Sequence, residues 1–123
     1  VSKEQFLQQN QRNGEIYVGL ILGKNGDPDY HLFLLPGDND PSNWKTQIDW
    51  AKSIGGDLPN RREQSLLIAN AKEHFKADWY WSSEQHAADS DCAWYQYFDD
   101  GYQDSFSLSD ELRARAVRRL VIQ

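Results

Sequence analysis

The sequence predicts a single α+β domain in which two helices pack on a twisted, mainly antiparallel sheet. Three observations lead there. Two β-branched, apolar runs flank a strong turn near the start; two stretches with helical apolar spacing follow; and from Trp79 onward aromatic runs alternate with polar punctuation. At 123 residues the chain has the usual size of one domain and can bury a real core. Its 26% charged and 39% hydrophobic residues match ordinary globular usage, which argues for a folded chain.

Residues 1–14 are rich in Gln and Asn and end at Asn13-Gly14, so they read as an N-terminal arm with one helical turn near Phe6-Leu7. The domain proper then spans 15–123. Ile16 to Leu22 and Tyr30 to Leu35 are apolar runs joined by Gly23-Lys24-Asn25-Gly26-Asp27-Pro28-Asp29, which predicts a β-hairpin. Residues 36–41 read as a loop. Trp44, Ile48, Ala51 and Ile54 form one stripe of a helix over 43–54, capped by Ser42 or Asn43 and ended at Gly55-Gly56. Asn60 with Glu63 has capping-box spacing for a second helix, whose buried face is Leu67, Ala71 and Phe75.

Strands are expected at 79–83, 92–98, 102–108 and 113–122, with a hairpin turn at Asp99-Asp100-Gly101. Trp79 and Trp94 are expected in the core. In the last strand Arg118 shares a parity with Ala114, Ala116 and Leu120, so Arg118 is expected on the buried face and Arg119 on the exposed one.

The formal charge of -6 opposes binding to nucleic acid or to an anionic membrane through the field of the whole protein. A basic partner or a neutral ligand fits better. Only Cys92 is present, so no intrachain disulfide can form, which suits a reducing compartment. No long apolar stretch and no secretory pattern occurs, and a cytoplasmic or virion-associated location is expected.

Four strings, in order, carry a resemblance. They are Trp50-Ala51 with Gly55-Gly56-Asp57-Leu58-Pro59-Asn60-Arg61-Arg62-Glu63; Trp79-Tyr80-Trp81-Ser82-Ser83-Glu84; Ala93-Trp94 to Phe98 with Gly101; and Arg115-Ala116-Val117-Arg118-Arg119. On these strings the chain resembles the C-type-lectin-like fold. More narrowly, it is similar to small bacterial and prophage domains of unknown function related to the C-terminal domain of a collagen-like bacterial adhesin. The resemblance implies a scaffold and says little about ligand. It also implies what is missing: the Glu-Pro-Asn or Gln-Pro-Asp loop and the Trp-Asn-Asp strand of calcium-dependent sugar-binding lectins do not occur. Thermal unfolding with calcium and with a chelator should therefore coincide; a rise of several degrees with calcium would reveal a cation site in the Asp-rich loops.

The candidate chemistry concentrates late in the chain. Asp89, Asp91, Asp99, Asp100, Asp104, Asp110 and Glu111 supply hard oxygen ligands without a metal-binding spacing, and His31, His74 and His86 lack one too. No metal or cofactor is expected. Cys92 or Ser83 beside His86 has no supporting motif as a nucleophile and base, and no enzymatic activity is expected. Arg61, Arg62, Arg113, Arg115, Arg118 and Arg119 could contact phosphate but read better as scaffold cations paired with Glu63, Glu84 or the Asp-rich loops. Tyr80 points away from Trp79 and Trp81, and Tyr95 and Tyr97 point away from Trp94 and Phe98; these Tyr, with Tyr102, either pack or form an aromatic contact surface.

The expected function is a non-catalytic binding module for a protein or glycan ligand, with its surface on the irregular connections of 84–111. Its candidate ligand-binding residues are Tyr95, Tyr97, Asp99, Asp100, Tyr102 and Asp104. The alternative is a phage-encoded effector that inhibits a host protein through an acidic surface.

Overall fold

The computed structural model describes residues 1–122. Helix α1 (Lys3–Asn10) precedes the hairpin β1 (Ile16–Ile21) and β2 (Tyr30–Leu34), followed by β3 (Asn39–Ser42), α2 (Trp44–Ser53) and α3 (Arg61–Ala71) with a short 3-10 turn after it. The aromatic half forms β4 (Trp79–His86), β5 (Asp89–Tyr97), β6 (Gln103–Ser107), β7 (Leu112–Ala114) and β8 (Val117–Val121). The described chain is thus α+β with three helices and two sheets. The strand orders are β1-β2-β8 and β3-β7-β4-β5-β6, antiparallel except for β4 beside β7.

Several expected elements form for the expected reasons. Asn43 accepts the Thr46 N–H at the start of α2, and Gly55 at φ +86° ends it. At α3, Asn60 and Glu63 form the reciprocal capping box that their spacing predicts. Between α2 and α3 the chain packs tightly at Gly56, where an added Cβ would lie 2.6 Å from Leu35 and 2.7 Å from the Val117 carbonyl.

Several expectations about the elements and the core need correction. There are three helices and not two, because Ser2 and Gln5 close a capping box around α1 and Phe6 docks on Tyr17, His31 and Phe33. Residues 36–41 are not wholly loop: β3 pairs with β7 as an edge strand, the position where Pro41 is tolerated. The expected strand at 113–122 breaks after Ala114, so β7 and β8 belong to different sheets. Trp79 is 42% exposed rather than core.

Both faces of the sheet that holds β8 are covered, so parity does not divide its arginines into buried and exposed: Phe33, opposite Arg118, and Leu32, opposite Arg119, are both fully buried. Arg118 binds the buried Glu15 at 2.7 and 2.9 Å, donates to the Asn10 carbonyl and lies over the Phe33 ring. Arg119 is not the free surface cation that parity predicts, but it is the scaffold partner of Glu63 that the charge pattern predicts. It binds the fully buried Glu63 at 2.6 and 2.8 Å and reaches Asp57 at 3.0 Å. Arg113 ties β7 to Asp38, which also accepts a short hydrogen bond from Tyr80.

Two apolar clusters make the core. One joins β1, β2 and β8 to α3 through Val18, Leu32, Leu34, Leu67 and Tyr80; the other joins α2 to the larger sheet through Ala51, Trp81, Ala93, Tyr95 and Leu112. Neighbours Tyr80 and Trp81 therefore feed different clusters. Strand alternation sends them to opposite faces of β4, and both faces are covered there.

Candidate functional site

The candidate site is one face of the antiparallel unit β4-β5-β6. In the pairing register Trp79 lies opposite Tyr97, Trp81 opposite Tyr95, Tyr95 opposite Asp104, and Ala93 opposite Phe106. Residues directly opposite share a face and alternate along each strand. One face thus carries Trp79, Trp81, Tyr95, Tyr97, Asp104 and Phe106. Tyr102 joins them, since its carbonyl accepts the Tyr97 N–H and its hydroxyl donates to Asp104 at 3.1 Å.

Packing divides that face in two. Trp81 and Tyr95 lie under the core cluster that includes Trp44, Ile48 and Leu108. Beyond them the face is open: Trp79 is 42%, Tyr102 57% and Phe106 36% exposed, with Tyr97 half-buried between them. The rings form a continuous surface. Trp79 stacks on Tyr97 with centroids 5.3 Å apart and meets Phe106 edge-on at 6.5 Å, while Phe106 stacks on Tyr95 at 4.6 Å. These separations are those of favourable aromatic pairs.

The six expected ligand residues fall into three groups. Tyr97, Tyr102 and Asp104 lie on the open face. Asp99 and Asp100 are exposed in the turn at its end, where Asp100 accepts the Tyr102 N–H at 2.9 Å and the Asp99 carbonyl accepts from Lys72. Tyr95 is only 5% exposed and supports Phe106 from below, so it is not a contact residue. Tyr80, also considered for an exposed patch, is fully buried. Trp79 and Phe106 belong to the face but escaped the sequence reading. The turn at Asp99-Asp100-Gly101 fixes the register, and alternation from it places Tyr102, Asp104 and Phe106 together.

The irregular connections expected over 84–111 are largely replaced by regular strands. β4 runs on to His86 and β5 starts at Asp89, so ligand access falls on a sheet face and not on long loops.

Charge distinguishes these strands from the rest of the chain. Between Trp79 and Leu112 lie eight of the nineteen acidic side chains and none of the thirteen Lys and Arg, which leaves eleven acidic against thirteen basic elsewhere. The net negative charge therefore resides in the strands that carry the aromatic face. The bond from Tyr102 to Asp104, together with the Asp104 charge, raises the Tyr102 hydroxyl above its ordinary value and keeps it a donor.

The opposite face of the same strands serves the scaffold. The Arg61 guanidinium sits 3.6 Å over the Trp94 ring, on which His86 also stacks at 5.0 Å. Gln64, Gln96 and Gln103 link α3 to the strands by amide hydrogen bonds, and Glu84 accepts the Arg61 N–H at 2.7 Å. Trp94 is accordingly half-buried, and not the enclosed core residue expected.

His86 Nδ1 accepts the Ala88 N–H, and Cys92 donates to Asp89 at 3.4 Å. Desolvation, the Asp89 bond and the charges of Asp91 and Asp110 all push the Cys92 thiol up. Alkylation of folded protein near neutral pH should therefore run slower than that of an unperturbed thiol, and Asp89→Asn should accelerate it. A folded-state rate above that of the unfolded chain would contradict this.

Among the described residues, no group of three His, Cys, Asp or Glu side chains converges on a point where a cation could sit. No helix among them is long and apolar enough to cross a membrane. The sequence matches no protein-family model and no curated protein.

Proposed function

We propose that this chain is a non-catalytic binding module that holds a protein or glycan ligand on the open aromatic face of β4-β5-β6. One observation carries the reading: Trp79, Tyr97 and Phe106 form a contiguous, partly exposed ring surface on paired strands, with exposed Tyr102 beside it. Exposed aromatics grouped in this way are unusual for a surface without a partner, because each ring leaves apolar area in water. Aromatic side chains also lose little conformational freedom on binding, which favours them at contacts.

The scaffold proposed for the module is C-type-lectin-like. Support comes from the element order, namely a hairpin, two capped helices and aromatic strands ending in Arg115-Ala116-Val117-Arg118-Arg119. The extra helix α1 and the division into two sheets are this chain's own additions to that expectation. A second reading, a phage-encoded effector acting on a host protein through an acidic surface, is favoured by the segregation of eight carboxylates into Trp79–Leu112.

The test pairs the wild type with a Trp79→Ala, Tyr102→Ala double variant. Both are used for capture from bacterial lysate and on a glycan panel, with unfolding midpoints measured alongside. Ligands retained by the wild type should be lost from the variant while its fold persists. Retention of every ligand by the folded variant would place the site elsewhere.

A further inference from the structure

We infer that the occupant of the aromatic face is an arginine- or lysine-bearing segment of a partner protein. Its cation would lie against Trp79, Tyr97 and Phe106 and its N–H groups would bond the Asp104 carboxylate. This rests on the reading of that face as a binding surface and adds the chemistry of what it binds.

The aromatic rings alone would serve a sugar or a cation equally well, and the polar rim decides between them. A sugar offers hydroxyls that both donate and accept, so its sites mix donors with acceptors. Here the exposed side chains beside the rings are Asp104 and, at the turn, Asp100. Asp104 is held in place by two bonds, accepting the Ser105 N–H at 2.8 Å on one oxygen and the Tyr102 hydroxyl at 3.1 Å on the other. An ionised carboxylate has about four acceptor sites, so both oxygens keep capacity for a ligand donor. The Trp79 indole N–H and the Tyr hydroxyls add neutral donors, but the only charges within Trp79–Leu112 are carboxylates, and an anionic aromatic face matches Arg and Lys, the cations that only donate, better than a neutral sugar.

The protein's own cations do not fill this role. No Lys or Arg occurs between Trp79 and Leu112. Arg61 is committed to Trp94 on the opposite face, and Lys72 donates to the backbone of Asp99 at the turn. Cation–π attraction and the local negative field are therefore both unspent by the fold. The same field disfavours phosphate-bearing partners, which excludes nucleic acid and anionic lipid as occupants of this face.

Side-chain recognition is favoured over strand addition. β6 is one edge of the larger sheet, with β3 at the other. The Tyr97–Tyr102 bond sets the ladder so that Ser105 directs its N–H to the open edge, and Asp104 already occupies that donor. An incoming strand would meet a blocked position at the centre of β6.

The test uses the full chain and three probes: a capped Gly-Arg-Gly-Arg-Gly peptide, the same peptide with citrulline in place of both arginines, and cellotriose. The readouts are the indole N–H resonance of Trp79, assigned with Trp79→Phe, and the backbone amides of β4 to β6. The arginine peptide should shift Trp79 and β6, the neutral citrulline peptide should bind about tenfold more weakly, and Asp104→Asn should weaken the arginine peptide severalfold with the unfolding midpoint unchanged. Equal binding of the arginine and citrulline peptides overturns the inference. So do shifts spread evenly over Asp89, Asp91 and Asp110 that persist in Trp79→Ala, since they mark diffuse charge attraction. Shifts with cellotriose alone overturn the cation and leave the binding face standing. If no probe moves Trp79 the cation is again overturned, and the capture comparison with the double variant decides the fate of the face itself.

Discussion

Glu63→Ala is expected to destabilise the protein by about 3–5 kcal/mol, the usual loss when one member of a buried ion pair is removed. Glu63 is fully buried at the start of α3, and each of its oxygens accepts two hydrogen bonds. One takes Arg119 and the Asn60 N–H; the other takes Arg119 and the Tyr30 hydroxyl. Alanine would strip Arg119 of its main partner, leave the Tyr30 hydroxyl without an acceptor and open the capping box of α3. Asp57 would retain part of the Arg119 charge, so the loss should not exceed this range.

The same carboxylate makes stability depend on acid. Burial by itself would raise the Glu63 pKa, but the hydrogen bond and charge of Arg119, with the bonds from Tyr30 and Asn60, outweigh it and hold the group below its ordinary 4.5. A depressed folded pKa means that the stabilisation is complete above the unfolded value and is lost as pH falls through the folded one. Denaturant midpoints should therefore decline below about pH 4.5 in the wild type and more gently in Glu63→Gln. Glu15, held down by Arg118 and Arg12 against its own desolvation, keeps part of the slope in that variant. An unchanged acid slope in Glu63→Gln would remove Glu63 from this account.

Trp81→Ala is the second large effect, with an expected loss of about 3–5 kcal/mol. Its side chain is fully buried in the cluster beneath α2, and the indole N–H donates to the Ser42 carbonyl at 3.1 Å. The substitution empties a large site and orphans an acceptor in edge strand β3. On a domain whose total stability is of order 5–15 kcal/mol, this would bring the folded state near its limit. A shift in the urea midpoint worth under about 1 kcal/mol would show that the cluster repacks or that α2 does not cover this face.

Local chemistry made much of the fold legible. Asn60 with Glu63, Asn43 before α2, Gly55 after it and the Asp99-Asp100-Gly101 turn each act within a few residues, so sequence spacing is enough to find them. What escaped depends on distant contacts. α1 has only Phe6 and Leu7 as apolar anchors, and its docking needs Tyr17, His31 and Phe33 from the hairpin. Nothing between Arg113 and Ile122 breaks a strand by propensity; the break exists because β7 pairs with β3 and β4 whereas β8 pairs with β2. Arg119 meets Glu63 because α3 covers the face of β8 that strand parity alone leaves open.

The site was half legible for the same reason. Alternation correctly puts Trp79 and Trp81 on one face, but whether that face is covered is decided by the reach of α2, which no spacing rule supplies. Tyr95, expected as a contact residue, is covered in the same way, and Phe106, of which no role was expected, stays open. The acidic, aromatic composition pointed to the right strands, and packing chose which of their rings remain in water.

The most direct test of the binding face is Trp79→Ala, with urea unfolding and titration by the arginine peptide on one preparation. Close to half of the ring is already exposed, so stability should fall by only about 1–2 kcal/mol. Peptide affinity should fall about tenfold. A loss of stability as large as that of Trp81→Ala, with peptide affinity unchanged, would make Trp79 a core residue and contradict the account.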